Sequence, residues 1–375
     1  MPLLEVGRRT EEPSLSDWLE HWRIDSWLLV LLLLVSGLGL VVLYSASGHD
    51  TDAVWAQGKR LALGFVVMVA VAQSPPEWYR TASPWLYGVT VLLLILVLIL
   101  GDAAKGAQRW LDLGVIRFQP SEMMKLAMPM LVAAYLHHRL LPPSIGTMSV
   151  ALALVAVPAM LVMQQPDLGT ALLMIAAGGF ALFFGGLRWR WIIGAVLVVT
   201  AATPILWHQL HDYQRGRILT LINPERDPLG AGYHITQSKI AIGSGGLFGK
   251  GWLEGTQAKL DFLPESHTDF IFSVIAEEFG LIGTLFLLLL YLGIVGRGLV
   301  IALRAQDTFQ RLLAAALSLK FFVYVFINIG MVIGLLPVVG VPLPLISYGG
   351  TSAVSLLAGF GMLMSIQTHR KLLSN

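Results

Sequence analysis

The chain has 375 residues, 56% of them hydrophobic and only 13% charged, whereas a soluble domain carries about a quarter charged residues. A net charge of +2 without any long basic run argues against nucleic acid as a partner, and the lack of cysteine excludes disulfides, thiolate metal sites and cysteine nucleophiles. These bounds leave an all-α polytopic membrane protein.

A helix needs roughly 20 apolar residues to cross the hydrocarbon core. Ten segments qualify, near 26–46, 56–73, 82–100, 121–138, 146–164, 168–186, 190–208, 270–295, 312–335 and 346–366. The first ends in "YSAS", which imitates a signal-peptidase site, but its apolar run is too long for a signal peptide and further spans follow, so it reads as a retained helix. With the N-terminus inside, Arg8, Arg9, Arg23, Arg80, Arg139, Arg188, Arg190, Arg297, Arg304, Arg311, Arg370 and Lys371 all become cytoplasmic. Only Lys59 and Arg60, beside the start of the second span, oppose them in short outer loops. The expected layout is a cytoplasmic tail over 1–25, a membrane domain over 26–369 and a cytoplasmic tail over 370–375. The first outer segment, 101–120, reads as a loop lying on or dipping into the interface. The second, 209–268, is a large extracytoplasmic loop, unusually long for a connection, and its glycines and aromatics favour an ordered cap.

The polar chemistry collects near the outer ends of the spans. In "FLPESHTDFIFSVIAEE", Pro264 interrupts any helix, so Asp269 falls in the first turn of the eighth span. There it either caps the helix or serves as a functional acid beneath the cap. Glu277 and Glu278, about two turns deeper, either neighbour a cavity or pair with buried donors, and pairing is the favoured reading because an unpaired buried carboxylate is costly. In "QPSEMMK", Glu122 and Lys125 share one face of the fourth span. They form either a structural ion pair or a polar floor for a ligand headgroup. Asp167, in "QQPDLGT", reads first as an N-cap. Glu122, Asp167 and Asp269 could still converge in a bundle.

Arg109, Arg117, Arg215, Arg217, Lys239 and Lys250 lie on the outer side, against the orientation bias. They are either solvated and touching headgroups or a site for an anionic lipid diphosphate, which Arg and Lys ligate well. The run "GSGGLFGKG" fails as a phosphate loop: its spacing breaks at Ser244 and Gly251 replaces the required hydroxyl. It reads as a flexible turn. The stretch "GLLPVVGVPLPLISYGGTS" is a Pro-rich bend followed by a small, hydroxylated start to the tenth span, read mainly as packing.

Together these stretches resemble the SEDS proteins of cell-wall synthesis, the RodA/FtsW/SpoVE group. The run from Asn328 through Gly334, Pro337 and Gly340 to "LISYGGTS" is similar to that family's C-terminal motif. "RWLDLGVIRFQPSEMMK", "QPDLGT", "DPLGAGYHITQSKIAIGSGG" and "LPESHTDFIFSVIAEE" are similar to its other characteristic segments. "GKGWLEGTQAKLDFLPESHTDF" is more similar to the elongation branch, RodA, than to the division branch, FtsW.

The resemblance implies a multi-pass enzyme of the bacterial inner membrane that joins lipid II units into glycan on the outer face. It places the catalytic aspartate on Asp269 and further functional positions on Glu122, Lys125 and Asp167. Candidate substrate contacts are these three with Arg109, Arg215, Arg217, Lys239 and His267. It also implies a class B penicillin-binding protein and other elongation-complex membrane proteins as partners. Forming a β-1,4 link needs one carboxylate to take the acceptor proton. The departing undecaprenyl diphosphate is already a good anion, and Arg, Lys or a divalent cation (magnesium or manganese) could stabilise it. The competing readings are a lipid II flippase, or other transporter, and a non-catalytic scaffold for the transpeptidase.

Overall fold

The computed structural model describes residues 22–369, apart from 101, 105–106, 113–116, 210–211, 224, 226, 228–229, 261 and 264. The two tails therefore lie almost wholly outside the described residues, as does Pro264. Ten long helices coincide with the ten apolar segments: α1 (Ser26–Ala46), α2 (Thr51–Ala72), α3 (Pro76–Leu100), α4 (Pro120–His137), α5 (Ile145–Gln164), α6 (Leu168–Phe184), α7 (Trp189–Gln209), α11 (Ile271–Leu303), α12 (Thr308–Val332) and α13 (Thr351–Thr368). Seven of them, all but α4, α6 and α7, are long and apolar enough to cross a membrane by length and composition. Among its described residues, segment 209–268 contains α8 (Asp212–Ile222), α9 (Ala231–Gly245) and α10 (Thr256–Lys259), so it is not a free linker.

Helix starts follow local chemistry. Asp25, Asp50, Ser144, Asp167 and Asp307 cap α1, α2, α5, α6 and α12 with their side-chain oxygens. Asp50 begins α2 five residues ahead of the apolar run, which leaves Lys59 and Arg60 inside the helix instead of beside its start. At the centre stand α12 and α13, with 72% and 67% of their apolar windows buried, against 22% for α2 and α3. Helix α4 packs on α3, α6 and α12; α11 packs on α1, α9 and α12; and α2 lies along α13. That last contact depends on Gly361, where any Cβ would collide with the Met68 carbonyl. The outward residues, including Trp27, Leu92, Ile99 and Val198, are large and apolar, as a lipid-facing ring requires.

The structure corrects three sequence expectations. Segment 101–120 is not an irregular loop: its described residues form a small antiparallel sheet in the order β1 (Asp102–Ala104), β2 (Ala107–Asp112), β3 (Arg117–Phe118). Its register pairs Ala103 with Gln108 and Asp112 with Arg117. Second, "GSGGLFGKG" is not a flexible turn. Helix α11 breaks at Gly280 (φ 65°), and the glycine run is inserted into the break. The carbonyls of Glu277 and Glu278 accept from Lys250 and Gly251 amides at 2.9 and 3.0 Å, while Leu281 and Ile282 amides donate to Gly246 and Leu247 carbonyls at 3.0 and 3.2 Å. Four backbone groups around the break thus gain partners from the inserted run, as buried polar backbone requires. Gly249 (φ 79°) meets Gly280 backbone to backbone, with no room for a side chain on either. Third, the tenth span starts at Thr351, not near 346, because Ser347 and Tyr348 spend their hydrogen bonds on another segment, 267–268.

Candidate active site

Asp269 closes a turn, 265–270, that leads into α11. The helix's N-cap position falls on Phe270, so Asp269 sits just outside the first turn instead of within it. From below, the turn is tied by Ser266 Oγ to the Ala46 carbonyl at 3.0 Å and by Thr268 Oγ1 to the Glu265 carboxylate at 2.6 Å. From above, three consecutive carbonyls are taken by the chain 328–348. Tyr348 N–H donates to His267 at 2.9 Å, Ser347 Oγ to Thr268 at 2.5 Å and Asn328 Nδ2 to Asp269 at 2.9 Å. Asn328, fully buried, uses the same amide to hold the Val341 carbonyl at 2.8 Å. The Pro-rich bend is therefore more than packing: it fixes the backbone of the acid. The half-buried Asp269 carboxylate faces Gly340, where even an added Cβ would stand 3.5 Å from Oδ2.

Glu122 and Lys125 form a buried ion pair at 2.6 Å. Lys125 Nζ also donates to the Tyr324 hydroxyl at 2.5 Å, and the second Glu122 oxygen accepts from Ser355 Oγ at 2.7 Å. One cluster thereby joins α4, α12 and α13. Asp167 caps α6 by accepting from Thr170 N–H at 3.1 Å and lies within electrostatic range of Tyr324. The next turn of α6 abuts the bend, since a Cβ on Gly169 would come 2.9 Å from the Val339 carbonyl. Tyr324 and Asn328 are one helical turn apart on α12. Glu122, through its cluster, and the Asp269 backbone, through Asn328, both adjoin α12, while α6, which Asp167 caps, abuts the bend at Val339.

The candidate cations separate into groups. Arg215 donates to the Trp207 and His208 carbonyls at 2.8 and 2.5 Å, and Arg217 donates to the Val338 carbonyl of the bend. Lys239 lies across Gly334 and stays exposed. Lys250 is engaged elsewhere, in an ion pair with Glu277 at 2.6 Å, which removes it from any diphosphate site. That pairing, with the Thr256 and Gln257 amides also on Glu277, makes Glu277 a paired structural group, whereas Glu278 accepts from Ser45 Oγ on one oxygen and its other oxygen has no hydrogen-bond partner among the described residues. The side chains of Arg109 and Arg117 fall outside the described residues. His234 of α9 stacks on Phe270 at 5.5 Å; burial holds its imidazole below the usual range, against the opposite pull of Glu265 and Asp227. Among the described residues no three His, Asp or Glu side chains group to hold a metal ion.

The family model described as cell cycle protein, FtsW/RodA/SpoVE, matches residues 25–372. The chain belongs to the FtsW/RodA/SpoVE family. It is 54% identical over 366 residues to the peptidoglycan glycosyltransferase MrdB of Escherichia coli K12, covering 97% of this chain and 99% of that one. Identity to the probable peptidoglycan glycosyltransferase FtsW of Geobacter metallireducens is 39%, with 93% and 96% covered. A chain from a peptidoglycan synthase complex, described as coordinating polymerization and crosslinking, superposes with a TM-score of 0.82 at 31% identity, covering 92% of this chain and 99% of that one. The rod shape determining protein RodA of Thermus thermophilus superposes at 0.71 with 29% identity, covering 92% and 98%.

Membership in the FtsW/RodA/SpoVE family bears out the resemblance read from the motifs. Sequence reasoning missed several of the site's residues. Tyr324 and Ser355, which complete the Glu122–Lys125 cluster, carry no local signal. Arg60 had counted only toward topology, yet its guanidinium lies 4.5 Å over the Tyr348 ring, which in turn meets His267 edge-on. The only hint was its opposition to the positive-inside pattern.

Proposed function

We propose that this chain is the glycan polymerase of cell-wall elongation, joining lipid II disaccharide units by β-1,4 links on the extracytoplasmic face of the inner membrane. Asp269 is its general base. The observation that carries this reading is the fixing of three successive carbonyls, His267, Thr268 and Asp269, by Tyr348, Ser347 and Asn328. A base held in this way keeps one orientation, which general-base catalysis needs. The carboxylate accepts the proton of the acceptor 4-hydroxyl as that oxygen attacks the donor's anomeric carbon. The bond from that carbon to the phosphate oxygen breaks, and the diphosphate leaves with the electron pair.

The reading supplies roles for the other groups. The Glu122–Lys125–Tyr324 cluster and Asp167 form a polar wall for the headgroup. Arg60, Arg215, Arg217, Lys239 and His267 provide positive or donating groups for the diphosphate, with Arg109 as a further candidate. A divalent cation would be held by phosphate oxygens and single carboxylates, since the described residues offer no three-ligand cage. The bias of basic residues toward short inner loops supports an outward-facing cap and cytoplasmic termini. A class B penicillin-binding protein is the proposed partner, supported by the likeness to a synthase complex that coordinates polymerization with crosslinking.

The test uses purified chain in detergent with the transpeptidase, lipid II and a divalent salt. Detergent abolishes transport but not polymerisation, so glycan formation separates an enzyme from a flippase. Asp269→Asn should lower polymerisation at least about 100-fold while the thermal midpoint and partner binding stay unchanged. Glycan made at the normal rate by this variant would overturn the assignment.

A further inference from the structure

Prolines lie inside four described helices, at 84, 129, 158 and 204. Each removes the amide that should bond the carbonyl four residues earlier. At two of these sites a hydroxyl covers the orphaned carbonyl. Ser83 Oγ donates to Arg80 at 2.8 Å, next to Pro84, and Tyr87 OH donates from α3 to Leu154 at 2.9 Å, four residues before Pro158. At Pro129 the orphaned carbonyl is that of Lys125, and its donor is a lysine: Lys320 Nζ of α12, at 3.3 Å.

Lys320 is 3% exposed and forms no ion pair among the described residues. Beside it lies a cavity of only about 10 Å³, bordered also by Leu317, Phe321, Leu356 and Gly359, an apolar lining that offers the amine no other acceptor. No step of the proposed reaction uses this buried amine, and burying it is expensive unless it does something. Its protein acceptor belongs to the residue whose own side chain bonds Glu122 and Tyr324.

We propose that Lys320 is a positioning residue that replaces the hydrogen bond Pro129 deletes and so fixes the turn of α4 presenting the Glu122–Lys125 pair. This rests on the reading of that pair as part of the headgroup site. Without the bond, the buried Lys125 carbonyl stays unsatisfied and the turn relaxes, moving Lys125 away from Tyr324.

The test is a cycle of Lys320→Met, Pro129→Ala and the double variant, with Lys125→Ala as a control, each as full chain with the transpeptidase. Polymerisation kinetics and thermal midpoints are both measured. Lys320→Met should raise the KM for lipid II about tenfold or more, the size of one stranded buried carbonyl. Pro129→Ala restores an N–H at 129, so in that background the same substitution should cost little. An unchanged KM in Lys320→Met, or an equal loss in both backgrounds, overturns the proposal. A Lys320→Met chain that folds only when combined with Pro129→Ala supports it; failure to fold in both backgrounds overturns it. If Lys125→Ala polymerises normally, the site reading fails instead, and the midpoints of the cycle still show whether Lys320 and Pro129 are coupled.

Discussion

Asn328→Ala tests whether the acid's backbone is held as described. The wild-type amide donates to the Asp269 carbonyl at 2.9 Å and the Val341 carbonyl at 2.8 Å, in a fully buried position. Truncation strands two acceptors, and each unsatisfied buried group costs about 1–3 kcal/mol. Stability should therefore fall by about 2 kcal/mol or more, because the protein cannot easily admit water there. The larger effect should be on rate. Releasing Asp269 from α12 lets its carboxylate drift, and a misplacement of about 1 Å can cost on the order of 100-fold. Asn328→Asp should be at least as damaging, since an ionised carboxylate accepts bonds but cannot donate them. Polymerisation is measured with lipid II and partner in detergent, next to thermal unfolding. A variant that unfolds earlier but polymerises at the wild-type rate would refute the link between this amide and the base. One that changes neither quantity would refute the hydrogen bonds themselves.

Two further outcomes are expected. Glu122→Ala or Lys125→Ala should each destabilise by about 3–5 kcal/mol, because either truncation leaves a buried charge without its partner. The combined charge swap, if it restores stability and glycan synthesis together, would show that the pair acts only as structure. His234 gives a pH signature. A base held below its usual range favours the folded state while neutral, so its contribution is full above the unfolded value of about 6.5 and is lost as pH falls through the folded value. Thermal midpoints should therefore drop on acidification below about pH 6.5, and less so in His234→Gln. An identical acid profile in that variant would exclude His234 as the cause.

The spans were legible because twenty-residue apolar runs are a strong signal, and the "HTD" acid stood out because it borders one. The pairing of Glu277 followed from cost alone. What escaped were contacts between distant parts of the chain. Asn328 and Ser347 reach carbonyls 59 and 79 residues away, and Ser355 reaches Glu122 across 233. Such side-chain-to-backbone bonds have no periodicity and leave no local mark. The glycine run misled for a related reason: positive-φ glycines signal freedom in isolation, but here they answer a break in another helix. The small sheet was hidden because its strands are short, the longest having six residues.

That insertion has a practical meaning for anyone altering the protein. Four crossed bonds anchor 246–247 and 250–251, so an added residue must be absorbed by the two-residue link 248–249, where Gly249 already meets the Gly280 backbone. The stretch that looks most expendable, rich in glycine, is thus among the poorest places for an epitope tag, a protease site or a fused reporter. The run after α9 and the first turns of α11 are stitched into one piece by these bonds.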